Sequence, residues 1–187
     1  MIKIINGKAE GTPPPSRSYI AGRGIPGKFI LTLTRYLRYR NVKRYIRPSE
    51  RLLDIGCGDG YFLRKINCRE KYGIDKLMGE KITDNLDFPD NYFNYVTMLA
   101  VIEHVKEPDK IIGEIRRILK PGGKFVFTTP RKSAENFIKL YAKNIENEHE
   151  MYFDYGKITK MAAGLFRISG FNTFIFGMNQ VFVLEKI

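Results

Sequence analysis

Apolar positions along the 187 residues change period near Pro48. From Lys28 to Ile46, Phe29, Ile30, Leu33, Leu37, Val42, Tyr45 and Ile46 recur mostly three or four apart, which predicts a helix ended by Pro48. Ahead of it, residues 1 to about 26 are rich in Gly, Pro and Ser and predict an irregular arm, locally extended at Pro13 to Pro15. Beyond Pro48 short apolar runs alternate with helical stretches, the pattern of a parallel sheet with crossovers. Strands are predicted at Arg51 to Ile55, Lys71 to Ile74, Tyr95 to Leu99, Lys124 to Thr129, Asn172 to Phe176 and Gln180 to Glu185. The clearest helix is Asp109 to Leu119, where Ile111, Ile112, Ile115, Ile118 and Leu119 form one stripe between Pro108 and Pro121-Gly122-Gly123. Further helices are predicted from about Ser133 to Ile145 and from about Tyr155 to Ile168, the latter ended by Gly170. Gly177-Met178-Asn179 is too short for a crossover, so the last two strands should pair antiparallel.

Composition adds limits. At 21.7 kDa, with 43% hydrophobic and 28% charged residues, the chain fits one α/β domain with a short extension. No apolar run approaches the roughly 18 to 20 residues that span a bilayer. Met1 to Asn6 lacks the apolar region and cleavage site of a signal peptide, so a cytoplasmic location is expected. Cys57 and Cys68 form neither a disulfide framework nor a CxxC knuckle. The net charge of +12 is unevenly placed: between Gly11 and Ser49 nine cations and no acid occur. That asymmetry fits an anionic partner (nucleic acid, a phosphorylated substrate or an anionic membrane surface) or else a solvated basic face.

The chemistry sits in Leu52-Leu53-Asp54-Ile55-Gly56-Cys57-Gly58-Asp59-Gly60. An apolar strand runs into three glycines spaced by one residue, then into a helix beginning at Tyr61. Glycines let the backbone turn sharply and let a ligand approach where a Cβ would collide, and the following helix offers free N–H groups. A dinucleotide fold would place its last glycine one position later.

This segment resembles motif I of the class I methyltransferases that use S-adenosylmethionine (SAM), and most closely the type 11 group, which includes ubiquinone-biosynthesis and polysaccharide-associated enzymes. Four further segments match that family in order. They are Tyr72-Gly73-Ile74-Asp75, with its acid 15 residues after Gly60; Phe88 to Val96, similar to FPDxSFDxV but with Asn94 for the usual Asp; Glu103-His104-Val105; and Arg117 to Phe125, similar to xxLKPGGxL. Gly170-Phe171 and Gly177 to Gln180 resemble the family's last hairpin. The resemblance runs from about Pro48 to the end, roughly three quarters of the chain. Only 12 residues separate Asp75 from Phe88, too few for the family's helix and third strand, so that edge of the sheet should be trimmed.

The resemblance implies a mostly parallel Rossmann-like sheet with an antiparallel last strand, helices on both faces and a shortened third-strand region. It divides the chain into a basic arm and cap helix, residues 1–49, and a SAM-binding domain, residues 50–187. It implies that Asp54, Gly56, Cys57, Gly58 and Gly60 shape the loop around the methionyl part of SAM, with Cys57 a small loop residue rather than a nucleophile. Asp75 should accept the ribose hydroxyls beside Lys76, Leu99 and Ala100 should lie under the sulfonium, and Asp84, Asn85 or Leu86, Asp84 first, should meet adenine. His104 and His149, the two histidines present, are the candidate bases. No metal is expected, because Ala100 replaces the first Glu of the ExxEH set that Glu103, His104 and His149 would otherwise echo. The expected activity is methyl transfer to a small-molecule, lipid or glycan acceptor, leaving S-adenosylhomocysteine. The alternatives are an RNA methyltransferase using the basic segment and a SAM-binding protein without catalysis. The helix from Lys28 to Ile46 is expected to cap the site and to present two rows, Arg35 with Arg38 and Arg40, Lys43, Arg44 with Arg47, to an anionic acceptor.

Overall fold

The computed structural model describes residues 1–5, 8–10, 25–76, 85–134 and 151–187. The predicted helix over Ser133 to Ile145 falls almost wholly outside these, as do Asp84, His149 and most of the N-terminal arm.

One eight-stranded sheet organises the molecule, in the order β2-β1-β4-β3-β5-β6-β8-β7. Its strands are β1 (Ile2–Ile5), β2 (Lys8–Glu10), β3 (Ser49–Ile55), β4 (Cys68–Ile74), β5 (Phe93–Leu99), β6 (Leu119–Pro130), β7 (Phe166–Phe174) and β8 (Asn179–Lys186). β4, β3, β5 and β6 pair parallel in that order, which is why they read as near-continuous apolar runs: both their faces are covered. β8 lies antiparallel to β6, and β7 antiparallel to β8, as the short Gly177-Met178-Asn179 connection requires.

The helices are α1 (Ile25–Lys43), α2 (Tyr61–Lys65), α3 (Pro108–Ile118) and α4 (Tyr155–Ala162). α3 and α4 cover one face, where Ile111, Ile112, Ile115, Ile118, Ile158 and Ala162 join Leu53, Val96, Phe125 and Phe127 in the core. α1 and α2 cover the other, with Val42, Phe62 and Leu63 packed on Leu52, Val126 and Val183. The α3 stripe is buried to 2% exposure or less, as its spacing predicted.

Three local expectations need correction. The arm is not irregular at its start: Ile2 to Ile5 forms β1, antiparallel to β4, and Lys8 to Glu10 adds β2. This hairpin occupies the edge of β4. An exposed ladder edge invites pairing, and Ile2 and Ile4 gain burial by alternating inward there. The last helix stops at Ala162 rather than Ile168, because Gly164 takes a left-handed turn (φ 70°) and Phe166 already pairs with Lys186. α1 ends at Lys43, ahead of Pro48, so Arg47 lies beyond the helix.

Residues 85–92, ahead of β5, are tied down from α3. Glu114 accepts the Leu86 N–H at 2.7 Å, and Arg117 donates to the Leu86 and Phe88 carbonyls and to Glu114. Asn94 keeps a role at its departure from the family pattern, accepting the Arg51 N–H at 3.0 Å.

Candidate active site

The carboxyl edge of the parallel strands is where an open α/β sheet offers a ligand crevice. At that edge β3 ends in Ile55 and the chain enters the glycine loop. Gly56, Gly58 and Gly60 all take positive φ, at 76°, 52° and 74°. The Gly56 and Cys57 N–H groups both donate to the Ile74 carbonyl, tying the loop to the end of β4. A Cβ on Gly56 would stand 2.3 Å from Val101 Cγ2, whereas one on Gly58 would meet nothing within 4 Å. So Gly56 is required by packing, while Gly58 faces open space that a side chain would fill. Cys57 is buried, its Sγ turned toward Gly73, as suits a small loop residue.

Asp75 follows the tip of β4 and is buried, and one of its carboxylate oxygens accepts the Gly58 N–H at 2.8 Å. Asp54 on β3 accepts the Thr97 hydroxyl at 2.6 Å. Burial pushes the Asp54 carboxyl up to about 7; the Thr97 hydrogen bond opposes this and the Asp75 charge adds to it. Two buried carboxyls beside an open glycine cradle make a place for a cationic ligand. SAM, with its sulfonium and ammonium groups and its ribose diol, fits that set: Asp75 and the Gly58 backbone can hold the ribose and the loop the methionyl arm.

The remaining expected positions are spread around this edge. Leu99 and Ala100 are half-buried at the end of β5, and the Ala100 N–H donates to the Thr128 carbonyl at 3.0 Å while its own φ is 59°. Lys76 is exposed just after Asp75. Leu86 is buried in the core on the α3 side. His104 is exposed on the 3-10 turn Ile102–His104, whereas its neighbour Glu103 points inward and is 1% exposed.

Glu103 and Arg38 are the functional candidates that sequence reasoning missed. Glu103 stood in the family motif and Arg38 among the outward cations, and nothing in their spacing showed that both turn inward within reach of each other's charge. Glu103 Oε2 and Arg38 Nε are both buried without a hydrogen-bond partner. Burial pushes the Glu103 carboxyl above the usual carboxylate range, against the pull of the His104 and Arg38 charges and the neighbouring Thr129 hydroxyl. Burial likewise lowers the Arg38 guanidinium, opposed by Glu103. The Thr128 and Thr129 hydroxyls at the end of β6 also lack hydrogen-bond geometry to any partner. Unsatisfied buried polar atoms are costly and rare in native proteins, and four of them share this edge.

The expected first cation row is therefore not displayed. Arg35 pairs with Asp59 of the glycine loop and lies over the Tyr61 ring at 4.1 Å, and Arg38 turns inward. Arg40, Lys43, Arg44 and Arg47 are exposed, Arg44 donating to Asn41. Among the described residues, no group of three or more His, Cys, Asp or Glu gathers as a metal site.

Comparison with known proteins identifies the family. The chain is 30% identical over 135 residues to the sterol 24-C-methyltransferase erg6 of Schizosaccharomyces pombe, covering 59% of this chain and 36% of that one. It is 28% identical over 124 residues to the ubiquinone/menaquinone biosynthesis C-methyltransferase UbiE of Cupriavidus metallidurans, covering 52% and 51%. The chain thus spans about half or less of the length of these curated relatives. Among solved structures, it superposes on a Haloferax volcanii protein in complex with the methyltransferase activator Trm112 with TM-score 0.71, 13% identity and coverage of 94% and 97%. An S-adenosylmethionine-dependent methyltransferase from Mesorhizobium loti gives TM-score 0.65 at 14% identity, covering 80% and 98%. These solved structures share the fold. The methyltransferase domain profile matches residues 29–165, well over half of the chain, and the chain belongs to that family, of the class I, type 11 kind.

Proposed function

We propose that this chain transfers the methyl group of SAM to a small-molecule acceptor of lipid or quinone type. The observation that carries the proposal is the open cradle at Gly58, closed on one side by the buried Asp75 that accepts its N–H. The relatives, a sterol and a ubiquinone/menaquinone C-methyltransferase, suggest the acceptor class.

Bound SAM supplies an activated methyl group on a sulfonium, so direct displacement needs chiefly alignment. In this proposal Asp75 orients the ribose, the loop from Gly56 to Gly60 holds the methionyl arm, and Leu99 with Ala100 lines the approach to the sulfur. Lys76 and Leu86 flank the nucleoside, with Asp84 beyond the described residues. The acceptor proton passes to Glu103, the buried carboxyl at this edge with a free oxygen, while Arg38 stabilises the oxyanion that forms. His104 and His149 remain rival bases. The reaction takes no divalent metal, so activity should persist in EDTA; loss restored by magnesium or manganese contradicts this.

The test is a lysate assay with methyl-labelled SAM, followed by separation into RNA, protein, lipid and small-molecule fractions. Label in the lipid or small-molecule fraction supports the proposal. Label in RNA would establish the RNA reading instead, and no transfer to any fraction would favour a binding protein without catalysis. With the acceptor in hand, Glu103→Gln should lower kcat by about 100-fold or more with SAM affinity unchanged, and His104→Ala should leave kcat within a few-fold.

A further inference from the structure

α1 carries apolar side chains on its outward side as well as on the side it packs against the sheet. At about 100° per residue, Phe29, Leu33, Tyr36, Arg40 and Lys43 fall on one side of the helix and Arg38 on the opposite side. The first side is the one that faces water: Phe29 is 68% exposed, Leu33 43% and Tyr36 45%. The second side faces the sheet and carries the buried Arg38 Nε beside Val42. An ordinary surface helix would leave its outward side polar.

The outward stripe is also graded along its length. Its first half is apolar (Phe29, Leu33, Tyr36), and its second half is basic, with Arg40, Lys43 and Arg44 exposed and Arg47 just beyond. No acid lies between Gly11 and Ser49 to neutralise it. The apolar half is the end nearer the carboxyl edge of the sheet. Arg35 is held by Asp59 in the glycine loop, whereas the Arg47 N–H reaches the Tyr95 hydroxyl near the start of β5. The turn between β7 and β8 rises at the same edge, since β8 opens at Asn179 opposite Pro130. At its tip Phe176 is fully exposed, in a left-handed conformation (φ 52°) that aromatic residues rarely adopt.

We infer that the outward face of α1, with Phe176, docks this protein on the surface of an anionic phospholipid bilayer. The apolar half enters the headgroup boundary beside the active-site edge, and the basic half meets the lipid phosphates. Amphipathic helices that lie in the interface bind in this way, by apolar burial together with attraction to anionic lipid. The inference goes beyond the methyltransferase reading and stands or falls on binding alone, although it would place the site where an apolar acceptor leaves the membrane.

The test is co-sedimentation of the purified chain with vesicles of phosphatidylcholine alone and of equal parts phosphatidylcholine and phosphatidylglycerol, alongside calorimetry with SAM. The chain should bind the mixed vesicles, release them at high salt and bind phosphatidylcholine weakly. The triple variant Phe29→Ser, Leu33→Ser, Phe176→Ser should lose roughly tenfold or more in partitioning, and so should Arg40→Gln, Lys43→Gln, Arg44→Gln. Both variants should keep cooperative melting and wild-type SAM affinity. Failure of the wild type to bind mixed vesicles overturns the inference. So does loss in the cationic variant alone together with competition by RNA, which would make the face a polyanion contact. Loss of SAM affinity with vesicle binding intact would instead bear on the methyltransferase reading.

Discussion

Asp54 sets the charge of the site, since burial, with the Asp75 charge adding to it, opposes its ionisation. The folded Asp54 carboxyl, held near 7 by burial, is neutral where its unfolded counterpart at 3.8 is ionised. Its contribution to stability is therefore full below about pH 3.8, falls as pH rises toward 7, and is level above. Melting of the ligand-free protein across this range should show that decline, and Asp54→Asn should flatten it; parallel curves would refute the shift. A cationic ligand reverses the preference. SAM binding should release a proton and tighten as pH rises to about 7, which calorimetry in buffers of different ionisation enthalpy can read. A pH-independent affinity would mean that Asp54 does not feel the ligand. The glycines divide by what they face. A methyl on Gly73 would meet Leu63 Cδ1 at 2.6 Å and Cys57 Sγ at 2.7 Å, so Gly73→Ala should cost about 1 to 3 kcal/mol in denaturant unfolding. Gly58→Ala, facing open space, should cost only the left-handed strain of about 1 kcal/mol.

At the scale of elements, β1 covers the edge of β4. Ile2 and Ile4 are 3% and 6% exposed against the core of α2 and β3. Ile4→Ala should cost about 2 kcal/mol or more. Removing residues 1–10 should bare the edge of β4 and make the protein prone to aggregate, which light scattering on heating would reveal. Unchanged melting and scattering would show that the hairpin is dispensable. This element was hidden in the sequence for a physical reason: four apolar-rich residues have no period long enough to read, and their strand exists only because β4 offers an open edge. α1 was legible as a helix but not in its orientation, since Arg35 and Arg38 look like surface cations until Asp59 and Glu103 are brought beneath them. The α3 stripe and the β3-to-loop transition were legible because burial on one face and the glycine triplet each impose their own spacing.

For the whole molecule, the parallel strands bring Asp54, the glycine loop, Asp75, Ala100, Glu103 and Thr128 to one edge, although they span most of the sheet in sequence. The cofactor half of that edge was readable from residue order, because motif I and the acid after β4 lie close in sequence. The acceptor half was not, because it joins α1, the turn after β5 and the end of β6. The most direct test of the central claim is calorimetric titration of SAM and S-adenosylhomocysteine into the wild type, Gly58→Val and Asp75→Ala. The wild type should bind both ligands at one site. Gly58→Val should bind neither while still melting cooperatively, and Asp75→Ala should lose about 1.5 to 3 kcal/mol of binding free energy. Absence of binding in the wild type, or wild-type affinity in both variants, would contradict the account.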